Sequence, residues 1–490
     1  MKREDRLTGL VLLLALGLRL IALQSRSIQY DDAFSIFLAQ RSLAEIVRGT
    51  AADTMPPLYY FLLHFWMAGG ESLAWLRLLS VLLNLGSVAL IMEITTRLVG
   101  RSAGLWAGLL AAISPLQIYH AQDLRMYALL ATCQLGYIWF FARIWRPGEN
   151  RQAGRWDWAG LLICGALAMY THNLAVFVLA VPDVVLLIKR EWKLLGRLIA
   201  AQAGIGVLAA PWLLMIPGQV AKIQHAFWTP QPGLVEVLQA VLLFHTNLPL
   251  TGIWLSVGAV VSVEALVLVL LEARKNWRTD KNIILLAALA GVPPLLLFAA
   301  SYLMRPVFVT RGFLAAALGY LGLAGWTITR GWRRGGPLIL AGFVIGAVIA
   351  LPVHYTFNEF PRSPFQQAVT YLQTNLQPGE VVVHDNKLSY FPAHYYAPGL
   401  AQQFLPDEAG SHNDTFAPAS KQAMQIFPAT DLVSAVGNSQ RVDFVVFQAT
   451  IDEYRGMGKL DHPALAWLDA HYRLIEQRAF GDLLLYRYEK

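Results

Sequence analysis

Four short stretches of the chain place acidic, imidazole and guanidinium groups beside long apolar runs. They are Tyr30-Asp31-Asp32, Tyr119-His120-Ala121-Gln122-Asp123-Leu124-Arg125-Met126-Tyr127, Thr171-His172-Asn173, and the stretch from Arg305 to Arg311. Carboxylates in such places accept protons or cations, and guanidinium groups hold anions through paired hydrogen bonds. Each stretch also has a plainer reading. Asp31 and Asp32 open an amphipathic helix and could cap it, because negative charge suits the positive end of the helix dipole. Asp123 and Arg125 could form a local ion pair, His172 could be structural, and Arg311 could snorkel to an interface. The conjunction says more than any one of them. Ionisable groups at a membrane are costly, and all four stretches fall at one expected membrane level, where helices could gather them around a cavity.

The elements that must do the gathering are transmembrane helices. The 490 residues are 56% hydrophobic and 14% charged, with mean hydropathy +0.46, which fits no ordinary soluble protein. The apolar residues fall in about eleven runs, mostly of roughly 17 to 25, the length a helix needs to cross about 30 Å of hydrocarbon. These lie near 7–23, 75–96, 103–119, 124–142, 158–171, 174–188, 197–216, 251–271, 283–302, 312–328 and 336–352. The first reads as a retained signal anchor, since no small-x-small cleavage site follows it. Cys133 and Cys164 fall inside apolar runs and suggest buried packing rather than a disulfide framework.

The net charge of +7 is dispersed in short clusters rather than in one patch, which argues against nucleic acid as a partner. Lys and Arg concentrate in alternate connections, at Arg97 and Arg101, at Arg143 and Arg146, at Lys189 to Arg197, at Arg274 to Lys281 and at Arg330 to Arg334. The positive-inside rule then predicts a cytoplasmic N-terminus, and an odd number of spans carries the C-terminal part across the membrane.

Residues 353–490 differ from residues 1–352. Gly379–His384 and Val442–Phe447 predict buried strands, and Pro364–Leu376 and Pro463–His471 predict helices. The expectation is an α-helical polytopic membrane protein with a transmembrane module at 1–352 and a small α/β extracytoplasmic domain at 353–490. No Gly-rich phosphate loop, zinc spacing or nucleophile elbow is legible in that domain. Between the first two spans, Thr54-Met55-Pro56-Pro57-Leu58-Tyr59-Tyr60 begins an aromatic helix suited to the interface plane.

At these residues the sequence resembles the bacterial dolichyl-phosphate-mannose-protein mannosyltransferase-like proteins. These are relatives of protein O-mannosyltransferases and the lipid A aminoarabinose transferase within the GT-C glycosyltransferases. The marks are the acidic pair Asp31-Asp32, Pro56 to Tyr60, the turn Asp123, Arg125 and Tyr127, the pair Thr171-His172, and Arg311 opening a late span. The family usually has Asp-Glu at the first mark, Glu at position 123 and Arg-Tyr where this chain has Arg311-Gly312. Charge type is retained at each mark, while one tyrosine contact is lost.

The resemblance implies transfer of a sugar from a polyprenyl-phosphate donor to a lipid, glycan or protein hydroxyl at the cell membrane, on its non-cytoplasmic side, with inversion. Asp31 is then the base and Asp123 a second acid that orients donor or acceptor. Arg311 and Arg125 would hold phosphate, with Asp32, Tyr59, Tyr127 and His172 as further substrate contacts. No dedicated metal set is legible beyond the acids Asp31, Asp32 and Asp123, and a divalent cation on Asp31 and Asp123 stays open. The competing class is a transporter or flippase, under which Arg19, Glu93 and Glu264 would be the residues to test.

Overall fold

A computed structural model describes residues 3–146, 153–219, 229, 231–247, 249–304, 306–333, 335–408, 414–456, 458 and 462–490. Arg305 and Arg334, named above, lie outside the described residues. The chain divides into two compact units. One holds the N-terminal helix and most of the segment from Thr54 to Tyr355; the other combines Ser25–Asp53 with Thr356–Lys490. The expected boundary at 353 falls close to the second junction. The outer segment after the first helix, however, contributes Ser25–Asp53 to the α/β unit.

The first unit is helical. Among the described residues seven helices are long and apolar enough to cross a membrane, or eight if the bent pair Arg101–Ile113 and Pro115–Ala121 is one span. Three further expected runs correspond to Arg3–Leu20, Arg155–Thr171, and the broken pair Ala175–Leu179 and Val181–Lys189, which are shorter or more charged. The hydroxyl of Ser72 accepts from the backbone of Trp75 to start Leu73–Val99, and Gly100, at φ +105°, ends it in a conformation that glycine adopts freely. Leu295, Leu303 and Val207 are at least 70% exposed, as lipid-facing side chains are. By contrast, Leu314–Arg330 is buried along most of its length and forms the centre of the bundle.

The bend comes from Ser114-Pro115. Proline lacks the N–H that would continue the helix, and Ser114 caps the next turn by accepting from Gln117, turning the axis by 60°. The break strands the last carbonyls of Arg101–Ile113. Arg19, fully buried, fills them: its Nη1 donates to Ala112 at 3.0 Å and its Nη2 to Ala111 at 3.1 Å. Its Nε donates to Asn84 Oδ1 at 2.7 Å, Asn84 donates to Gln117, and Gln117 donates to the Leu314 carbonyl. The network that starts at this buried guanidinium thereby joins five helices.

The basic helix ends gather at the opposite end of the bundle. Arg97 donates to the Arg146 carbonyl, Arg146 to Asn282, and Asn282 to the Leu98 carbonyl. Arg143 pairs with Asp157 at 2.6 Å, and Arg330 with Asp280 at 3.4 Å.

The second unit contains a five-stranded sheet of order β2-β1-β3-β5-β4. Its strands are β1 Val381–His384, β2 Gln402–Phe404, β3 Arg441–Phe447, β4 Arg473–Phe480 and β5 Leu483–Glu489. β1 lies parallel to β2 and β3, and β5 runs antiparallel to β3 and β4. Gly481 turns the β4–β5 hairpin at φ +58°, where a Cβ would also meet the Asn358 carbonyl at 2.7 Å. β1, β3 and the helices Phe365–Asn375 and Pro463–His471 occur as expected; β2 and the β4–β5 hairpin are additional.

Helix Tyr30–Ala39 packs in this unit against Lys387–Tyr396. Tyr30 and Phe37 lie 4.9 and 5.6 Å from Phe391, and Phe37 lies 5.5 Å from His394, measured between ring centroids. It is therefore buried on nearly every side rather than amphipathic.

Candidate functional site

The turn from Gln122 to Met126 is where the first unit concentrates polar groups. Gln122 ties it down. Its Nε2 donates to the carbonyls of Arg19 and Ile21, each at 2.8 Å, and its Oε1 lies 3.1 Å from His354 Nε2. The ends of the first helix and of Gly336–Thr356 are thereby linked to the turn that carries Asp123 and Arg125.

Beside this clamp, His120 Nδ1 lies 3.2 Å from Asp123 Oδ2, with both side chains buried. The imidazole makes edge-on aromatic contacts with Tyr119 at 5.0 Å and with Tyr127 at 5.3 Å. Tyr127 leads onward to His172, 6.0 Å away between centroids, and the Arg311 guanidinium stands 5.7 Å over the same tyrosine ring. Asp123, Arg125, Tyr127 and His172 are all buried. The Tyr127 hydroxyl is buried without a hydrogen-bond partner among the described residues.

His172 sits in the turn beyond helix Arg155–Thr171, where its Nδ1 accepts from the backbone N–H of Leu174 at 3.0 Å. The proton of the neutral ring then resides on Nε2. Burial, followed by the charges of Arg311 and Arg125, depresses its pKa to about 3. The neighbouring Asn173 donates to the Thr54 carbonyl at 3.0 Å and to Gln219, and accepts from Trp212 at 2.9 Å. Tyr59, fully buried in helix Leu58–Met67, has its hydroxyl 3.4 Å from Ser80 Oγ.

The structure therefore assembles His120, Asp123, Arg125, Tyr127, His172 and Arg311 within one unit. Asp31 and Asp32 belong to the other. The Asp31 carbonyl accepts from Ser35, while the Asp32 side chain is fully buried, accepts from the Gln29 backbone and pairs with Arg362 Nη1 at 3.1 Å. Asp32 thus has structural partners at both the helix start and the C-terminal segment.

His120 is the member that sequence reasoning quoted but did not single out. Its spacing three residues before Asp123, across the end of a helix, was the available signal. Arg19 lies among carbonyls, and Glu93 and Glu264 are exposed on helix surfaces, so these three do not share a cavity. Among the described residues no group of three or more His, Cys, Asp or Glu is placed to hold a metal ion. His120 and Asp123 supply one imidazole and one carboxylate.

Residues 54–215 match the family model described as dolichyl-phosphate-mannose-protein mannosyltransferase. That segment includes Tyr59, Asp123, Arg125, Tyr127 and His172, and leaves Asp31, Asp32 and Arg311 outside. A search of curated proteins finds no match. Among solved structures, ArnT from Cupriavidus metallidurans in the apo state superposes with TM-score 0.65 at 15% identity, over 98% of each chain. The same protein bound to undecaprenyl phosphate gives 0.64 at 12%, over 98% of this chain and 97% of that one. The archaeal oligosaccharyltransferase AglB from Archaeoglobus fulgidus, in complex with an inhibitory peptide and a dolichol-phosphate, gives 0.52 at 11%, over 97% of this chain and 73% of that one. Such identities speak to the fold alone. The chain shares the fold of these membrane proteins, and its residues 54–215 match the dolichyl-phosphate-mannose-protein mannosyltransferase model.

Proposed function

We propose that this protein transfers a sugar from a polyprenyl-phosphate donor to an acceptor hydroxyl on the extracytoplasmic face, with inversion at the anomeric carbon. The observation that carries the reading is the grouping of Arg311, Tyr127, His172 and Arg125 beside Asp123 at the ends of membrane helices. A polyprenyl-phosphate needs its tail in lipid and its phosphate at the interface, and the position of these groups at helix ends supports that reading. ArnT bound to undecaprenyl phosphate and AglB with a dolichol-phosphate supply the structural analogy for the donor.

Arg311 and Arg125 bind the phosphate, because guanidinium stays charged and matches phosphate oxygens in bidentate fashion. His172, kept neutral by burial and those arginines, donates Nε2–H without adding charge. The Tyr127 hydroxyl has its donor unspent and gives it to the same phosphate. These contacts strengthen as the glycosidic bond breaks and negative charge collects on the leaving oxygen.

Asp31 takes the proton of the attacking hydroxyl. The transfer comes late, since an alcohol is a far weaker acid than a carboxylic acid, and the oxocarbenium-like centre draws the oxygen in first. Asp123, oriented by His120, positions donor or acceptor. A divalent cation, if one is used, would bind at Asp123 or Asp31 and offset phosphate charge, and no step above is routed through it. The N-terminus is cytoplasmic and residues 353–490 form the extracytoplasmic domain, as the distribution of Lys and Arg supports.

The test is sugar transfer by purified, lipid-reconstituted protein offered pooled polyprenyl-phosphate sugars, wild type against Asp31→Asn. Product from wild type and none from a folded Asp31→Asn protein supports the reading. Equal activity in both would remove Asp31 as the base.

A further inference from the structure

Glu264 lies midway along Gly252–Asn276, a 25-residue helix apolar enough to span the membrane. At ~1.5 Å per residue it is about 18 Å from either helix end, beyond the reach of its own side chain to either interface. It is exposed, and it sits in a stripe of exposed apolar residues: Val260 at 66%, Val263 at 47%, Val267 at 46%, Leu270 at 57% and Leu271 at 58%. The opposite face, with Val261, Ser262, Ala265 and Val269, is the buried one. Thus the one acid in the middle of this helix points away from its own protein.

An ionisable group at mid-bilayer is costly even on permissive scales, and a lipid chain offers it no hydrogen bond. Protonation removes the charge but leaves a strong O–H donor and a carbonyl oxygen without partners. Among the described residues, every other Lys or Arg of the candidate spans lies near a helix end or is buried, so a second copy of this chain offers no mid-depth cation to this face. We propose that the Val260–Leu271 face of this helix docks a transmembrane helix of another membrane protein, one that carries a Lys or Arg at mid-depth to pair with Glu264. The apolar stripe packs the partner, and the carboxylate sets its depth and rotation, as a single polar position does within a coiled coil.

The experiment uses the full chain in lipid vesicles with a fluorescent acceptor, and synthetic Leu-Ala transmembrane peptides carrying a donor dye. One peptide has a single central Lys and its control has Leu there. The expected result is energy transfer showing about tenfold tighter association of the Lys peptide. That preference disappears in Glu264→Leu and Glu264→Gln, and it persists in Glu93→Leu, which removes an exposed acid from a different helix. Glu264→Leu puts an apolar residue into lipid and is expected to fold at least as well as wild type. Equal binding of the two peptides, or a Lys preference that survives Glu264→Leu, overturns the proposal. Self-association of the wild type that Glu264→Leu abolishes also overturns it, because the face would then pair with a second copy through shared protons.

Discussion

His120 Nδ1 lies 3.2 Å from Asp123 Oδ2, and the imidazole makes edge-on contacts with both Tyr119 and Tyr127. An acid whose orientation is set this way depends on its neighbour for position more than for charge. Asp123→Asn is expected to lower kcat/KM about 100-fold or more. His120→Ala should lower kcat about tenfold with little change in KM. His120→Asn, which keeps a polar donor in the same place, should recover part of that loss. Steady-state kinetics on the three variants checks this, and a His120→Ala effect confined to KM would contradict the positioning role.

The orphan hydroxyl of Tyr127 makes a two-sided prediction. A buried polar group without a partner costs about 1–3 kcal/mol, so Tyr127→Phe should keep or raise the thermal stability of the empty protein. Donor KM should rise several-fold in the same variant. Thermal unfolding and transfer kinetics measured on one preparation test both halves, and a large stability loss would show that the hydroxyl has a structural partner.

Arg19 should be structural. Arg19→Met leaves Asn84 Oδ1 and the carbonyls of Ala111 and Ala112 without their donor, at an expected cost of about 3 kcal/mol. The variant is expected to unfold at lower temperature, with retained activity at permissive temperature reduced because the bent helix carries His120. Unchanged thermal unfolding would sink this account.

Asp31 and Asp32 are expected to separate. Asp32 and Arg362 form a fully buried pair, and removing one partner leaves the other charge uncompensated, at about 3–5 kcal/mol. Arg362→Ala and Asp32→Ala should each destabilise the α/β unit, and the double variant by clearly less than the sum. Asp31→Asn should leave thermal unfolding near that of wild type while abolishing transfer.

His384 gives a pH dependence outside the membrane. It is fully buried in β1, and burial lowers its pKa from 6.5 to about 3, with Gln402 opposing and His394 adding to the shift. Between those two values the unfolded chain binds the proton and the folded chain does not, so stability rises with pH. The contribution is complete above about pH 6.5 and shrinks by ~2 kcal/mol at pH 5. Thermal unfolding of the full chain from pH 7.5 to 5 should show this slope, and His384→Gln should flatten it.

The membrane class, the placement of most spans and the turn that bears Asp123, Arg125 and Tyr127 were legible in the residues alone. These follow from local terms, namely the length of apolar runs and the cost of charge beside them. Strands β1 and β3 and two helices of the α/β unit were legible for the same reason. The bend at Ser114-Pro115 was written in the dipeptide, yet the apolar run across it concealed the break.

Tertiary structure alone decided which residues meet across distance. Asp32 with Arg362, Arg19 with Ala111 and Ala112, and Arg311 over Tyr127 join positions far apart in the chain. No local periodicity encodes such pairs. They arise because each buried polar group must find a partner wherever packing brings one, and that requirement is met only when the whole chain has folded.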